Sequence, residues 1–341
     1  MSHSLHQSII IAPQWIGDAV MTEPLLRRLH ARGEQITVGA LPWVAPVYKA
    51  MPQITEVIDF PFAHGRWQLR ERRRLAQKIS GRFDTAYVCP NSFKSALLPF
   101  WVGIPKRIGY FGEMRVGLLT HRLPNPPKGR RTPTVELYLA LCHEADTTHD
   151  HPQLQLDLAM VSAILNQLGL SRGDYFVLSP GAEYGEAKRW PVSHFAALAN
   201  QLDGPVVLLG SGKEIDLCSN LAHICGTDHI INLAGKTSLM QAMAVISACK
   251  AMVSNDSGLM HIAAGLGVPQ VAIFGSSSPQ HTPPLNANAH VRWLKTDPAY
   301  HPPLDCSPCF KCICPLGHTR CLNDISSASV LQLLLCMGEQ G

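Results

Sequence analysis

Short apolar runs recur along most of the chain, each followed by turn residues and then by a stretch with apolar positions at helical spacing. In the first half, runs at 8–12, 35–41, 56–60, 83–89 and 107–111 predict strands. Helices are predicted at 19–30, 43–51 and 135–145, with another opening at Asn91 or Ser92. The second half repeats the rhythm. Strands are predicted at 175–179, 205–209, 230–233, 252–254 and 271–274, and helices at 159–168, 239–249, 259–266 and 330–336. Strand-helix alternation of this kind is the pattern of parallel βαβ crossovers and an α/β fold. At 341 residues the chain is too long for one ordinary domain and comfortable for two. A boundary is predicted near Ser171, giving one Rossmann-like domain at 1–170 and a second at 171–325.

The clearest unit is the stretch 251–275, AMVSNDSGLMHIAAGLGVPQVAIFG. An apolar strand runs into cap and turn chemistry at Asn255-Asp256-Ser257-Gly258, and Gly267-Val268-Pro269 stops the helix that follows. Two readings are open. Asp256 and Ser257 cap a helix and His261 is an ordinary half-buried histidine, or the free N–H groups at Ser257 and Gly258 hold an anion without a metal. The first strand poses the same choice. Its loop, Pro13 to Asp18, ends in Gly17, which lets a backbone approach a ligand, and Asp18, which is either a helix cap or a carboxylate aimed into a crevice. Lys94 stands in the first turn of its helix, where the dipole disfavours it, so it points to water or to an anionic ligand. The loop 180–191, PGAEYGEAKRWP, places Lys188 and Arg189 beyond a buried strand, where they can reach a diphosphate or simply lie on the surface. Gly210-Ser211-Gly212 lacks P-loop spacing, and Glu214 in the next first turn is favourable for the helix in any case.

Charge narrows the partners. A net charge of +4 does not argue for nucleic acid. The local run of Arg66, Arg70, Arg72, Arg73, Arg74, Lys78 and Arg82, against Glu71 alone, is either a solvated helix face or a surface for a phosphorylated acceptor or an anionic bilayer. Its aromatic content is too sparse for a single-strand nucleic-acid platform. The start of the chain lacks the charged n-region of a signal peptide, and no apolar stretch is long enough to span a membrane, so a cytosolic location with reduced cysteines is expected. In CSPCFKCICPLGHTRC, Cys306, Cys309, Cys312 and Cys321 form a candidate structural zinc set, with Cys314 and His318 nearby. The crowding of Cys312 and Cys314 and the missing long spacer count against it, and iron–sulfur spacing is not met.

Three of these stretches carry a family resemblance. Pro90 to Thr120, Pro180 to Pro191 and Ser254 to His261 resemble the ADP-heptose glycosyltransferases of glycosyltransferase family nine, and the likeness extends over nearly the whole chain. It implies a GT-B fold, two Rossmann-like domains facing a central cleft, with the terminal helix at 326–341 packed back on the N-terminal domain. It implies Asp18 as general base and Lys188 as the stabiliser of the departing diphosphate. Lys188, Arg189, Glu214, Asp256, Ser257, Gly258 and His261 would bind the donor, with Glu214 on the ribose. Asn91, Lys94 and Arg115 would bind the acceptor. The implied donor is ADP-L-glycero-D-manno-heptose, and the implied acceptor is the first inner-core heptose on Kdo2-lipid A, in a Gram-negative cytosol at the inner face of the inner membrane. No DxD triad appears at a strand end, so no metal cofactor is expected in the chemistry.

Rival readings make different demands. A family-nine enzyme with another acceptor differs only in acceptor specificity. A Rossmann oxidoreductase needs G-x-G-x-x-G after the first strand, which residues 12–17 do not supply. A zinc-dependent binding module needs stoichiometric metal and leaves the Asp18 and Lys188 loops unexplained.

Overall fold

The computed structural model describes residues 6–63, 66–127, 131–143, 151–226 and 228–338. The chain divides into two compact units, Met1–Gln155 and Leu156–Gly341.

In the first unit, β1 (Gln7–Ile11), β2 (Gln35–Ala40), β3 (Ile54–Asp59), β4 (Thr85–Val88), β5 (Lys106–Tyr110) and β6 (His121–Leu123) form one sheet. Every pairing is parallel and the order is β3-β2-β1-β4-β5-β6. Its helices are α1 (Ile16–Met21), α2 (Glu23–Ala31), α3 (Ala45–Lys49), α4 (Leu69–Lys78), α5 (Phe93–Val102) and α6 (Thr134–Leu139). Consecutive Ile9, Ile10 and Ile11 are all buried, because a parallel sheet covered on both faces has no polar side to alternate with. The predicted single helix at 19–30 is two helices. Pro24 stands in the first turn of α2, where it supplies no N–H to continue the ladder of α1. Of the proline-rich segment 124–133, residues 128–130 lie outside the described residues, as do 144–145 of the predicted helix at 135–145.

The second unit holds α7 (Leu158–Leu168), β7 (Phe176–Ser179), α8 (Val192–Ala199), β8 (Val206–Leu208), α9 (Ile215–Cys225), β9 (Ile230–Asn232), α10 (Leu239–Ser247) and β10 (Met252–Asn255). After these come α11 (Gly258–Gly265), β11 (Gln270–Phe274), β12 (Ala289–Trp293), α12 (Arg320–Asn323) and α13 (Ser327–Gly338). Its sheet, again all parallel, runs β12-β11-β10-β7-β8-β9. Counted from each unit's first strand, both sheets have the doubly wound order in which the chain reverses direction between the first and fourth strands. Those switch points lie between β1 and β4 and between β7 and β10.

The structure adds detail to these expectations. The boundary falls between Gln155 and Leu156 rather than near Ser171, because α7 is capped by Asp157, which accepts from Met160 N at 2.7 Å, and packs on α10. Within its own unit, helix α13 packs on α8 and β11, with Val330 and Leu334 in a core shared with Leu178 and Leu198. Strands β6 and β12 went unpredicted. Both are edge strands with exposed or half-exposed residues, so neither shows an apolar run.

Candidate functional site

In an open α/β sheet, ligands bind beyond the carboxyl ends of the strands at the switch point. In the first unit the loops at that point follow β1 and β4, and they and the first turns of the helices they lead into carry Asp18, Asn91 and Lys94. A cavity of about 840 Å3 lies there, lined among others by Gln14, Trp15, Asp18, Asn91, Lys94 and Glu113. Asp18 occupies the first turn of α1, whose cap position is held by Trp15 with no side-chain bond to the helix. Cys89 and Tyr138 also line the cavity. Burial first, and the Asp18 carboxylate next, push the Cys89 thiol and the Tyr138 hydroxyl upward, so both stay protonated beside a carboxylate.

Arg115 is not in the wall. It is 2% exposed, and its guanidinium donates to Pro90 O at 2.8 Å, to Tyr110 O and to Asn91 Oδ1. Its guanidinium is thus spent on two carbonyls and on Asn91, where the family resemblance implied a contact to the acceptor. Gly112 makes this possible, since a Cβ there would stand 2.5 Å from Asn91 Oδ1. Glu113 is a lining residue that the sequence reading missed. Its carboxylate accepts from Phe93 N at 2.6 Å, capping α5 where Ser92 does not. The basic run resolves into two kinds of residue. Arg72 is buried over the Phe62 ring and Arg82 pairs with Glu56, whereas Arg66, Arg70, Arg73, Arg74 and Lys78 are exposed.

In the second unit the switch-point loops follow β7 and β10. They bring Lys188 Nζ to 2.6 Å from Asp256 Oδ2, with the two side chains 18% and 5% exposed. Thr282 Oγ1 donates to the other carboxylate oxygen at 3.4 Å, and the Lys188 ammonium lies 5.3 Å from the Tyr184 ring centre. Ser257 holds the cap position of α11, yet makes no side-chain cap bond, and its hydroxyl is buried without a protein partner. Asp256 is committed to Lys188, so neither residue caps the helix. The N-terminus of α11 thus has no side-chain cap and directly follows the carboxylate of a buried ion pair; a helix N-terminus without a cap is able to receive an anion. The hydroxyls of Ser276 and Ser277, in the loop after β11, are likewise buried without a protein partner.

His261, one turn into α11, is 5% exposed. Burial drives its pKa down to about 4, offset in part by Asp256 and reinforced by Lys188, so its ring is neutral near pH 7. Arg189 turns toward its own loop, Nη2 to Ala182 O at 3.5 Å. Glu214 closes a capping box with Ser211, and its carboxylate packs against Gly181. Asn255 is the residue that sequence reasoning missed here. Fully buried, it accepts from Trp190 N at 2.9 Å and donates to Pro180 O at 2.7 Å, tying both ends of the 180–191 loop to β10.

The cysteine segment departs from the expected zinc set. Cys312 is exposed, while Cys306, Cys309, Cys314 and Cys321 line one small cavity together with His318. Among the described residues, no three His, Cys, Asp or Glu side chains stand in a closed metal-holding array.

Residues 72–318 match the family described as Glycosyltransferase family 9 (heptosyltransferase). Lipopolysaccharide heptosyltransferase 2 of Escherichia coli (strain K12) is 44% identical over 312 residues, covering 86% of this chain and 89% of that one. Lipooligosaccharide heptosyltransferase 2 of Haemophilus influenzae is 36% identical over 303 residues, covering 83% and 87%. The solved structure of E. coli ADP-heptose lps heptosyltransferase II superposes with a TM-score of 0.84 at 38% identity, covering 98% of this chain and 99% of that one. The fold is thus the α/β, GT-B type.

Proposed function

We propose, from the premise that this chain belongs to glycosyltransferase family 9, that it is a lipopolysaccharide heptosyltransferase II. It moves L-glycero-D-manno-heptose from ADP-heptose to the first heptose of the inner core on Kdo2-lipid A. The observation that carries this reading is the open N-terminus of α11 beside the Lys188–Asp256 pair, a diphosphate site built without metal ligands, in a chain 44% identical to a heptosyltransferase 2.

The chemistry follows from what each unit holds. The acceptor sugar rests in the first unit's pocket, where Asn91 and Lys94 orient it and Asp18 takes the proton of the attacking hydroxyl. The new bond forms between that oxygen and the anomeric carbon as the bond to the diphosphate breaks, with inversion. The electron pair leaves on ADP, whose growing charge meets Lys188 and the N–H groups of Ser257 and Gly258. Arg189 and the capping-box Glu214 hold the donor loop and ribose edge, and the neutral His261 packs beneath. No metal or cofactor enters these steps.

Among the described residues no helix is long and apolar enough to cross a membrane. The exposed basic residues of α4 and its flanks suit a peripheral contact with the anionic inner leaflet, where each contributes on the order of 1 kcal/mol. The test is ADP release from ADP-heptose in EDTA, with core acceptors bearing no heptose or one, for the native protein and Asp18→Asn. Release with the one-heptose acceptor alone, lost in the variant, is expected. Release with the heptose-free acceptor reassigns the protein to first-heptose addition, and an unimpaired variant removes Asp18 as the base.

A further inference from the structure

Seven tyrosines stand in the chain, and six of their hydroxyls are bonded within the protein. Tyr87 donates to Glu34 at 3.1 Å, Tyr110 to Leu137 O at 2.8 Å, Tyr175 to Val245 O at 2.7 Å, Tyr184 to Phe310 O at 3.1 Å and Tyr300 to Asp324, while Tyr48 accepts from Thr22 Oγ1 at 3.3 Å. Tyr138 is the exception. Among the described residues its hydroxyl has no hydrogen-bond partner, although the residue is only 8% exposed. A tyrosine buried to that degree ordinarily finds a partner for its O–H, because an unbonded hydroxyl forfeits what water had given it.

Tyr138 lies in the wall of the first unit's cavity. It belongs to α6, which packs on α1 and is fastened at the preceding residue, where Leu137 O takes the Tyr110 hydroxyl. Helix α1 carries Asp18. Burial first, and then that carboxylate, keep the Tyr138 phenol protonated and able to donate. Neighbouring polar groups in the wall are partly spent. Asn91 Oδ1 is taken by Arg115 and its amide nitrogen leans on Asn125 Oδ1 at 3.5 Å, while Glu113 accepts from Phe93 N. Lys94 and Tyr138 keep uncommitted donors on either side of them.

We infer that the Tyr138 hydroxyl binds the acceptor sugar, donating a hydrogen bond to a hydroxyl oxygen next to the one that Asp18 deprotonates, and so selects which hydroxyl attacks. The inference rests on the reading above, in which the first unit's pocket holds the acceptor and Asp18 is the base. A sugar ring presents several hydroxyls of similar chemistry, and a carboxylate alone accepts from any of them. A donor fixed on a helix beside that carboxylate supplies the second point of attachment, which admits one orientation of the ring. The proton of the attacking hydroxyl passes to Asp18, and the phenol keeps its own throughout.

The experiment uses the full chain and the one-heptose core saccharide freed of lipid, with the native protein, Tyr138→Phe and, as a control, Tyr110→Phe. Because the Tyr138 hydroxyl has no protein partner, Tyr138→Phe should melt with the native protein, whereas Tyr110→Phe, which strips the donor from Leu137 O, should melt lower. Saccharide affinity by calorimetry and kcat/KM for the acceptor should each fall roughly two- to tenfold in Tyr138→Phe, the loss of one neutral hydrogen bond, with the KM for ADP-heptose unchanged. Saccharides lacking one non-reacting hydroxyl at a time locate the contact. One of them should bind the native protein more weakly than the complete saccharide does, and Tyr138→Phe should bind both alike. Unchanged saccharide affinity in Tyr138→Phe overturns the inference, as does a variant that discriminates against every deoxy saccharide as the native protein does. A fall in kcat with native saccharide affinity puts the phenol to work on Asp18 and overturns it too. Native protein that binds no saccharide overturns the acceptor reading of the pocket and this inference with it, so the two failures are distinguishable.

Discussion

The Lys188–Asp256 pair is a buried ion pair that the proposed chemistry also draws on, and a double-mutant cycle separates the two roles. At 2.6 Å, with Asp256 5% exposed, the carboxylate has little water to fall back on. Lys188→Met leaves that carboxylate buried and unpaired, which costs about 3–5 kcal/mol. For a unit of this size the melting transition should fall by roughly 6–20 °C. Asp256→Asn in the same background removes the orphaned charge, so the double variant should regain most of the lost stability. Turnover should not follow. The departing diphosphate still lacks its ammonium, and losing one such charge-stabilising donor costs about 100- to 1,000-fold in kcat. Melting by calorimetry and ADP release under saturating acceptor, on the four proteins, give both numbers. If activity recovers together with stability in the double variant, Lys188 acts only through folding and its place in the chemistry is lost.

Other perturbations test neighbouring parts. His261 is pushed down to about 4 from an ordinary value of 6.5, so it contributes stability fully present above pH 6.5 and lost as pH falls from there toward 4. That loss amounts to about 3 kcal/mol, and urea midpoints between pH 7 and 4.5 should slope less in His261→Phe than in the native protein; equal slopes refute it. Gly185 has φ +145 and no room for a Cβ against Cys312, so Gly185→Ala should lower stability by about 1–3 kcal/mol and weaken ADP binding in calorimetry, and a variant with native melting contradicts the packing. Arg115→Met strips the donor from Pro90 O, Tyr110 O and Asn91 Oδ1, each at about 1–3 kcal/mol when buried. Its signature is a raised KM for the acceptor with that for ADP-heptose unchanged; a shift in the donor term instead counts against the assignment.

Much of this was legible because it is local. A parallel strand, a loop and a helix N-terminus are contiguous in the chain, so the apolar runs at 8–12 and 252–254 announced where Asp18 and Asp256 would emerge. The doubly wound order then did the rest. Once the first and fourth strands of each unit are neighbours, the loop after β1 must lie beside that after β4, and the loop after β7 beside that after β10. Asn91 and Lys94 therefore join Asp18, and Lys188 joins Asp256, although no spacing along the chain relates them.

What stayed hidden depends on which way a side chain turns after the loops have met. An arginine 24 residues from Asn91 reads as a ligand contact until the structure shows its guanidinium spent on backbone carbonyls and on Asn91 itself. Asn255 looks like one more cap residue. Only the pairing of β10 with β7 brings it to the 180–191 loop, 65 residues away from Trp190, where its amide satisfies a donor and an acceptor that would otherwise be buried and unpaired. Cys312 and Cys314 stand two residues apart, and packing against Ala187 and Ser276 puts the second in the wall of a small cavity while the first is left in solvent. In each case the sequence supplies the right residue type, and a long-range contact decides whether it faces the ligand or holds the residue that does. Substitutions at Arg115 and Asn255 should therefore move binding through the geometry of Asn91 and Lys188, and a conservative amide or guanidine replacement should be tolerated less well there than at the exposed arginines of α4.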